Sequence, residues 1–398
     1  MNHPLLPPSR IPSSPLRILP LLAWLLAAAN TTAPAQTPAT AATAAADAGN
    51  LETAAPFLTP GRVQGDPLFF VQSDPASPPR ATLFQVPSSP PVIRSATLEV
   101  TYEAGKDYLW ESGSRDLTLP AGSRIPFKTL AALHPAPNTP NSYSAARDGR
   151  SWMLFGEGRF FHDLQCAAFY PTAAAWDGPV PAPAPDSQLA AIRKKLIDRQ
   201  PLKLVTLGDS ISTGANASAS ADAPPRQFGY HELVCAGLQK EFGSVVSGKN
   251  LSVGGMDSVW GGTRVPAVLA ELPDIVLLAF GMNDASAKRT PEEFLRVTRD
   301  ITDRLQTARP GCVVILISPM TANPEWSHAS PDLYPAYAEV LKSRTGPDCA
   351  LADVTSIWTS ILTKKPYLSL SGNGLNHPND FGHRLYADTI LSTFGRRP

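Results

Sequence analysis

The run IVLLAF at residues 275–280 contains no polar residue. A strand with no polar face cannot lie on a protein surface. It must be covered on both sides, as strands of a parallel sheet are when helices pack over each face. The surrounding sequence predicts such helices. Leu189, Ile192 and Leu196 are spaced for a short helix behind a Ser187 cap, and residues 226–242 read as a second. Thr290-Pro291-Glu292-Glu293 opens a third with a capping box and a proline at its first position. Phe294, Val297, Ile301 and Leu305 then share one face. Asn379-Asp380 caps a last helix running towards Phe394. Between these stand strands at 202–207, near Val245, at 313–317 and at 350–353. Helix and strand alternate, so residues 187–398 are expected to form an α/β domain with a parallel sheet.

The texture upstream is different. In residues 97–102, Leu98, Val100 and Tyr102 fall on one side and Thr97, Glu99 and Thr101 on the other. Turn signals follow at 103–105 and 112–114, with strands between and after them at 108–110 and 117–119. Short strands at this spacing predict a β-sandwich over residues 61–172, with no helical period. Residues 173–186 are rich in proline and alanine and read as a spacer. The chain holds 42 prolines in 398 residues, many in stretches of this kind.

The first 60 residues carry no fold signal. Arg10 and Arg17 precede an apolar run at 18–29. That run is shorter than the ~20 residues needed to cross a bilayer. It fits the core of a secretory signal, with Ala33-Pro34-Ala35 as the cleavage site before Gln36. Residues 1–35 are therefore expected to be removed on export, leaving a secreted or periplasmic protein without a membrane anchor. No cysteine follows the apolar run, so no lipid anchor is expected there. Residues 36–60 read as a disordered Ala/Pro/Thr tether.

The 34 basic and 34 acidic residues cancel, which argues against a nucleic-acid partner. The four cysteines are Cys166, Cys235, Cys312 and Cys349. They include no Cys-x-x-Cys pair, so no structural zinc site is expected. Cys312 and Cys349 open neighbouring strands of the expected sheet, and a disulfide is expected to join them there.

In open α/β sheets, sites form at the carboxyl ends of the strands. Polar, turn-rich segments stand at each: GDSIS from 208, NLSVGGMDS from 250, GMND from 281, and NHPND from 376. This ordered set resembles the SGNH hydrolases, also called GDSL esterases. Gly208-Asp209-Ser210-Ile211 matches the first block of that family. Asn250 to Gly255 matches the second, Gly281-Met282-Asn283-Asp284 the third, and His377-Pro378 the last. The resemblance spans about residues 200–395. It implies a flavodoxin-like three-layer α/β/α fold. The order of a β-sandwich before it is similar to that of carbohydrate esterases with a jelly-roll module in front.

The resemblance implies Ser210 as nucleophile and His377 as general base, and the chemistry agrees. A serine hydroxyl is a poor nucleophile without an adjacent base, and His377 is the histidine presented by a loop ahead of a capped helix. An oxyanion needs fixed donors. The resemblance supplies the N–H of Ser210, the N–H of Gly255 and the side-chain amide of Asn283. Gly254 is an equally legal choice for the second. Asp209 and Asp284 read as structural carboxylates that tie loops together. Trp260 reads equally as pocket wall or core. His377, Asp380 and His383 wrap around a helix start and so do not read as a metal site; no metal or cofactor is implied.

The family's motif has an aspartate three residues before its histidine. Here that position is Gly374. Three substitutes are open: a backbone carbonyl or water behind a Ser–His dyad, Asn373, or a distant carboxylate such as Asp353 or Asp388. The expected activity is hydrolysis of short acyl esters, foremost O-acetyl groups on polysaccharide or oligosaccharide. The rival readings are a lipid or aryl esterase on the same fold, an acyltransferase, and a degenerate carbohydrate-binding protein.

Overall fold

The computed structural model describes residues 61–395. The expected signal and tether lie outside them. Fourteen strands are described, and they divide into a β-rich half and an α/β half.

In the α/β half, five strands are all parallel: β10 (Leu202–Gly208), β11 (Val246–Asn250), β12 (Ile275–Ala279), β13 (Val313–Ile317) and β14 (Cys349–Ala352). Their order across the sheet is β11-β10-β12-β13-β14. Numbered within this half, that is 2-1-3-4-5, the flavodoxin-like order. β12 and β13 are buried along their whole lengths, as continuous apolar strands must be. The helix Pro291–Ala308 has the expected capping box between Thr290 and Glu293. Asn379 caps the helix Asp380–Phe394 by accepting from the N–H of Gly382.

Two helix starts differ from expectation. The helix Asp186–Ile197 begins after Pro185, which makes no side-chain cap, so Ser187 lies inside it. The helix Tyr230–Phe242 starts four residues later than the sequence pattern implies. The pair Pro224-Pro225 and the left-handed Arg226 keep the chain out of helix until Gly229.

The smaller half is β-rich. Its main sheet has the order β3-β9-β1-β2-β5-β4, with β6 also on β1. Here β1 is Gly61–Gln72, β2 Arg80–Thr82, β3 Val92–Ser95, β4 Leu109–Trp110, β5 Asp116–Thr118, β6 Phe127–Thr129 and β9 Gln165–Thr172. The long β1 serves two ladders in succession, pairing first with β9 and then, past Phe69, with β6 and β2. A separate hairpin joins β7 (Ser142–Tyr143) to β8 (Met153–Leu154).

Residues 97–102 do not form the expected strand. Leu98 takes a left-handed φ of 61° in a tight turn, and the hydroxyls of Ser95 and Thr97 hydrogen-bond each other. Local side-chain bonds of this kind compete with a ladder. Two short helical pieces, Leu130–Leu133 and His162–Leu164, also interrupt the half where no helix was expected.

The two halves share one apolar core, in which Phe84 packs on Phe381 at 5.3 Å between ring centres. A buried polar network crosses the same boundary. Lys365 Nζ lies 2.6 Å from Asp66 Oδ1 and also donates to the carbonyl of Thr82. The other oxygen of Asp66 accepts from Phe84 N–H and Tyr170 O–H, each at 2.7 Å. Gln165 Nε2 donates to the carbonyls of Leu368 and Ser371, and Asn379 Nδ2 donates back to Gln165 Oε1. The expected spacer at 173–186 is tied down as well. Trp176 is buried, and Ala184 N–H donates to Thr393 O at 3.0 Å.

All four cysteines are free and buried, which corrects the expected Cys312–Cys349 bridge. The strand register explains it. Cys349 sits opposite Val314, two residues along from Cys312, so the thiols are out of step.

Candidate active site

β10 lies between β11 and β12, and the chain reverses its order of strand addition around it. That is the switch point at which such sheets open a crevice. Ser210 follows β10 directly. Beneath it, buried Asp209 accepts the N–H of Ile211 at 3.0 Å and holds the turn. Burial pushes the Asp209 carboxyl up to about 7, against the pull of that N–H bond and of His377. The turn is closed from the other side by Asn250 Nδ2, which donates to Ser212 O at 2.7 Å.

His377 is held by its backbone. Gly372 N–H donates to His377 O at 2.9 Å, and Ser371 bridges Pro378 across the loop. This places Nε2 2.9 Å from Ser210 Oγ. The other ring nitrogen, Nδ1, lies 2.7 Å from Asn216 Oδ1. Asn216 Nδ2 donates to the carbonyl of Gly372 at 3.1 Å, so its amide oxygen is the atom turned to the ring. An oxygen acceptor at Nδ1 assigns the proton to that nitrogen and leaves Nε2 as the acceptor for the serine hydroxyl.

Asn373 is not the ring partner, which corrects one of the three open expectations. Its Oδ1 accepts the backbone N–H groups of Leu375, Asn376 and His377, at 2.9, 3.0 and 3.2 Å. It shapes the loop instead. Asp353 is occupied with Ser318 and Ser356 at the start of the helix Val354–Leu362. Asp388 lies within the last helix, where its charge acts on Arg384. The carboxylate that does reach His377 is Glu157, with Oε2 3.8 Å from Nδ1. Its Oε1 accepts from Asn373 Nδ2 at 3.1 Å. Burial would raise its carboxyl, but the nearby His377 ring and the amides of Asn373 and Asn216 prevail and hold it below the usual range.

Neither Asn216 nor Glu157 had a sequence signal. Each lies more than 150 residues from the loop it serves, at separations of 161 and 216.

The expected oxyanion donors gather at the ends of β10, β11 and β12. Gly255 is exposed in a left-handed turn at φ 77°, a conformation that favours glycine. Asn283 Nδ2 donates one hydrogen to Met256 O at 2.9 Å, which sets its amide beside that turn with the second hydrogen to spare. Gly254 approaches Ser210 more closely than Gly255 does. A Cβ on it would sit 3.6 Å from the Ser210 Cβ.

Asp284 accepts from Ser258 N–H and Oγ–H and from Arg289 Nε, while Arg289 also pairs with Asp257. It ties the β12 loop to the β11 loop. Trp260 meets Phe280 edge-on and carries the Arg264 guanidinium over its face, packed against the core. Asp380 accepts from Ser218 N–H at 2.7 Å, and His383 Nε2 lies 3.0 Å from Ala215 O.

Residues 206–385 match the GDSL-like Lipase/Acylhydrolase family. The match covers 180 of the 398 residues. None of the curated proteins matches the chain. Similar solved structures include a two-domain esterase active on acetylated mannans, at 21% identity and a TM-score of 0.42, covering 54% of each chain. LAE5, an α/β hydrolase enzyme from the metagenome of Lake Arreo, Spain, is 23% identical with a TM-score of 0.40, covering 49% of this chain and 95% of its own. A catalytic mutant of Axe2, an acetylxylan esterase from Geobacillus stearothermophilus, is 18% identical with a TM-score of 0.40, covering 49% and 94%. The chain spans about half the length of the two-domain esterase. Within the matched segment, Ser210, Asn283 and His377 are all half-buried, and the Ser210–His377 pair lies at the carboxyl edge of the sheet.

Proposed function

We propose that the protein is an exported serine esterase that hydrolyses short acyl esters, foremost O-acetyl groups on carbohydrate. The observation that carries this reading is the 2.9 Å approach of Ser210 Oγ to His377 Nε2, with Asn216 on the far nitrogen. In this mechanism Ser210 Oγ attacks the ester carbonyl carbon as His377 Nε2 takes its proton. The N–H groups of Ser210 and Gly255 and the Asn283 amide receive the oxyanion. The C–O bond to the alcohol breaks, and His377 returns the proton to that leaving oxygen. Water then repeats the sequence on the acyl-serine and releases the acid.

The apolar run after Arg17 supports export. Exposed Val253 and Val259 flank the Gly255 turn and favour the second reading, a hydrolase of longer acyl or aryl esters. Rates on p-nitrophenyl acetate and octanoate separate the two, and acetate release from a panel of acetylated polysaccharides identifies the carbohydrate. Ser210→Ala and His377→Ala are expected to abolish turnover. An active Ser210→Ala protein would sink the proposal.

A further inference from the structure

Gly374 stands where the family's motif has an aspartate, and the structure shows why a side chain is not tolerated there. Its φ is +90°, and a Cβ on it would lie 2.5 Å from the carbonyl oxygen of Leu154 and 2.7 Å from the Phe161 ring. Both of those residues belong to the β-rich half. Leu154 ends β8, and Phe161 is buried against Phe69 at 6.0 Å between ring centres. Gly156 N–H donates to Asn373 O at 3.2 Å, so the chain leaving β8 lies directly on the loop before His377. The next residue along that chain is Glu157.

We infer that Glu157 is the carboxylate that supports His377, delivered by the same close approach that excludes an aspartate at position 374. The inference rests on the serine-esterase reading of the site. Asn216 fixes the ring tautomer but brings no charge. Glu157 brings the charge but, at 3.8 Å, no direct hydrogen bond to Nδ1. The two share what one aspartate does in a Ser-His-Asp triad. Asn373 completes the arrangement, since its Nδ2 holds Glu157 Oε1 while its Oδ1 organises the backbone under His377. Glu157 is a positioning and charge-supporting residue, because it acts on substrate only through His377. The β-rich half is then part of the catalytic machinery.

The charged and titratable groups that face His377 are Glu157 from the segment after β8, Asp209 from the turn after β10, and His383 from the last helix. Glu157→Gln removes one of them and keeps the shape. Without the anion the imidazolium is less favoured. The change is read by NMR titration of the His377 ring in both proteins, where Asp209 and His383 contribute equally. In turnover, kcat falls about tenfold with KM unchanged, and the acid limb of the pH–rate profile moves to lower pH. A structural role alone would not move that limb, and equal melting temperatures exclude a folding defect. Identical His377 titration in wild type and Glu157→Gln overturns the inference. Ser210→Ala, assayed in parallel, decides the esterase reading separately, and the titration needs no substrate.

Discussion

Lys365 Nζ stands 2.6 Å from Asp66 Oδ1, and neither side chain has any exposure to solvent. The pair links the α/β half to the first strand of the β-rich half. A buried charge that loses its partner has no water to turn to, which costs about 3–5 kcal/mol. Lys365→Met and Asp66→Ala are each expected to destabilise by that amount in urea unfolding. Residues 187–398 expressed alone would leave Lys365 unpaired and an apolar face bare, and are expected to aggregate or melt well below the full chain. Full stability of that fragment would contradict the shared core.

Restoring the family's aspartate should harm the protein. In Gly374→Asp the new Cβ meets the Leu154 carbonyl and the Phe161 ring, on a backbone with positive φ. The expected outcome is a lower melting temperature and lower kcat. An increase in kcat at unchanged stability would show that the loop yields more easily than its packing implies.

Asn283→Ala removes the proposed oxyanion donor without touching the nucleophile. Loss of one such donor costs about 10²- to 10³-fold in kcat. KM for p-nitrophenyl acetate is expected to change little, since the donor acts mainly on the transition state. A fall in binding with kcat preserved would move Asn283 from the oxyanion to the ground-state substrate.

Acid should unfold the protein through buried histidines. Burial pushes His231 and His383 down to about 4, from an ordinary value of 6.5. In that window the unfolded chain takes up protons that the folded protein refuses. Their contribution to stability is therefore complete above 6.5 and is lost as pH falls towards 4. Each such histidine adds about 1.4 kcal/mol per pH unit to the slope. His231→Asn, which keeps a partner for Thr206 Oγ1, should remove one proton from the slope whatever its effect on absolute stability. Urea midpoints between pH 4 and 7 read the difference.

Much of the α/β half was legible because its signals are local. The apolar run at 275–280 has one burial state open to it, and the Thr290–Glu293 box closes within four residues. Ser210 and His377 were legible for the same reason, as each stands in a short motif at a strand end or helix cap. The β-rich half was harder to read. Its alternation at 97–102 was overruled by hydroxyl bonds within the same turn. The partners of His377 were illegible on other grounds. Asn216 and Glu157 are ordinary polar residues outside the helices and strands, and they become significant only once distant segments are folded together. Asn373 had the better sequence position and the wrong orientation, since three backbone N–H groups compete for its oxygen and win.

The bond from Gly156 N–H to Asn373 O has a consequence for protein engineering. The hydrolase portion cannot be treated as a cassette. A chimaera carrying a different front module would inherit a loop cut to fit a neighbour it no longer has, with a bare glycine facing an empty space. Such a hybrid would need an acidic residue written back at 374, at the moment when the room to hold it opens. Module exchange and loop sequence must therefore be redesigned together, as the two faces of one joint.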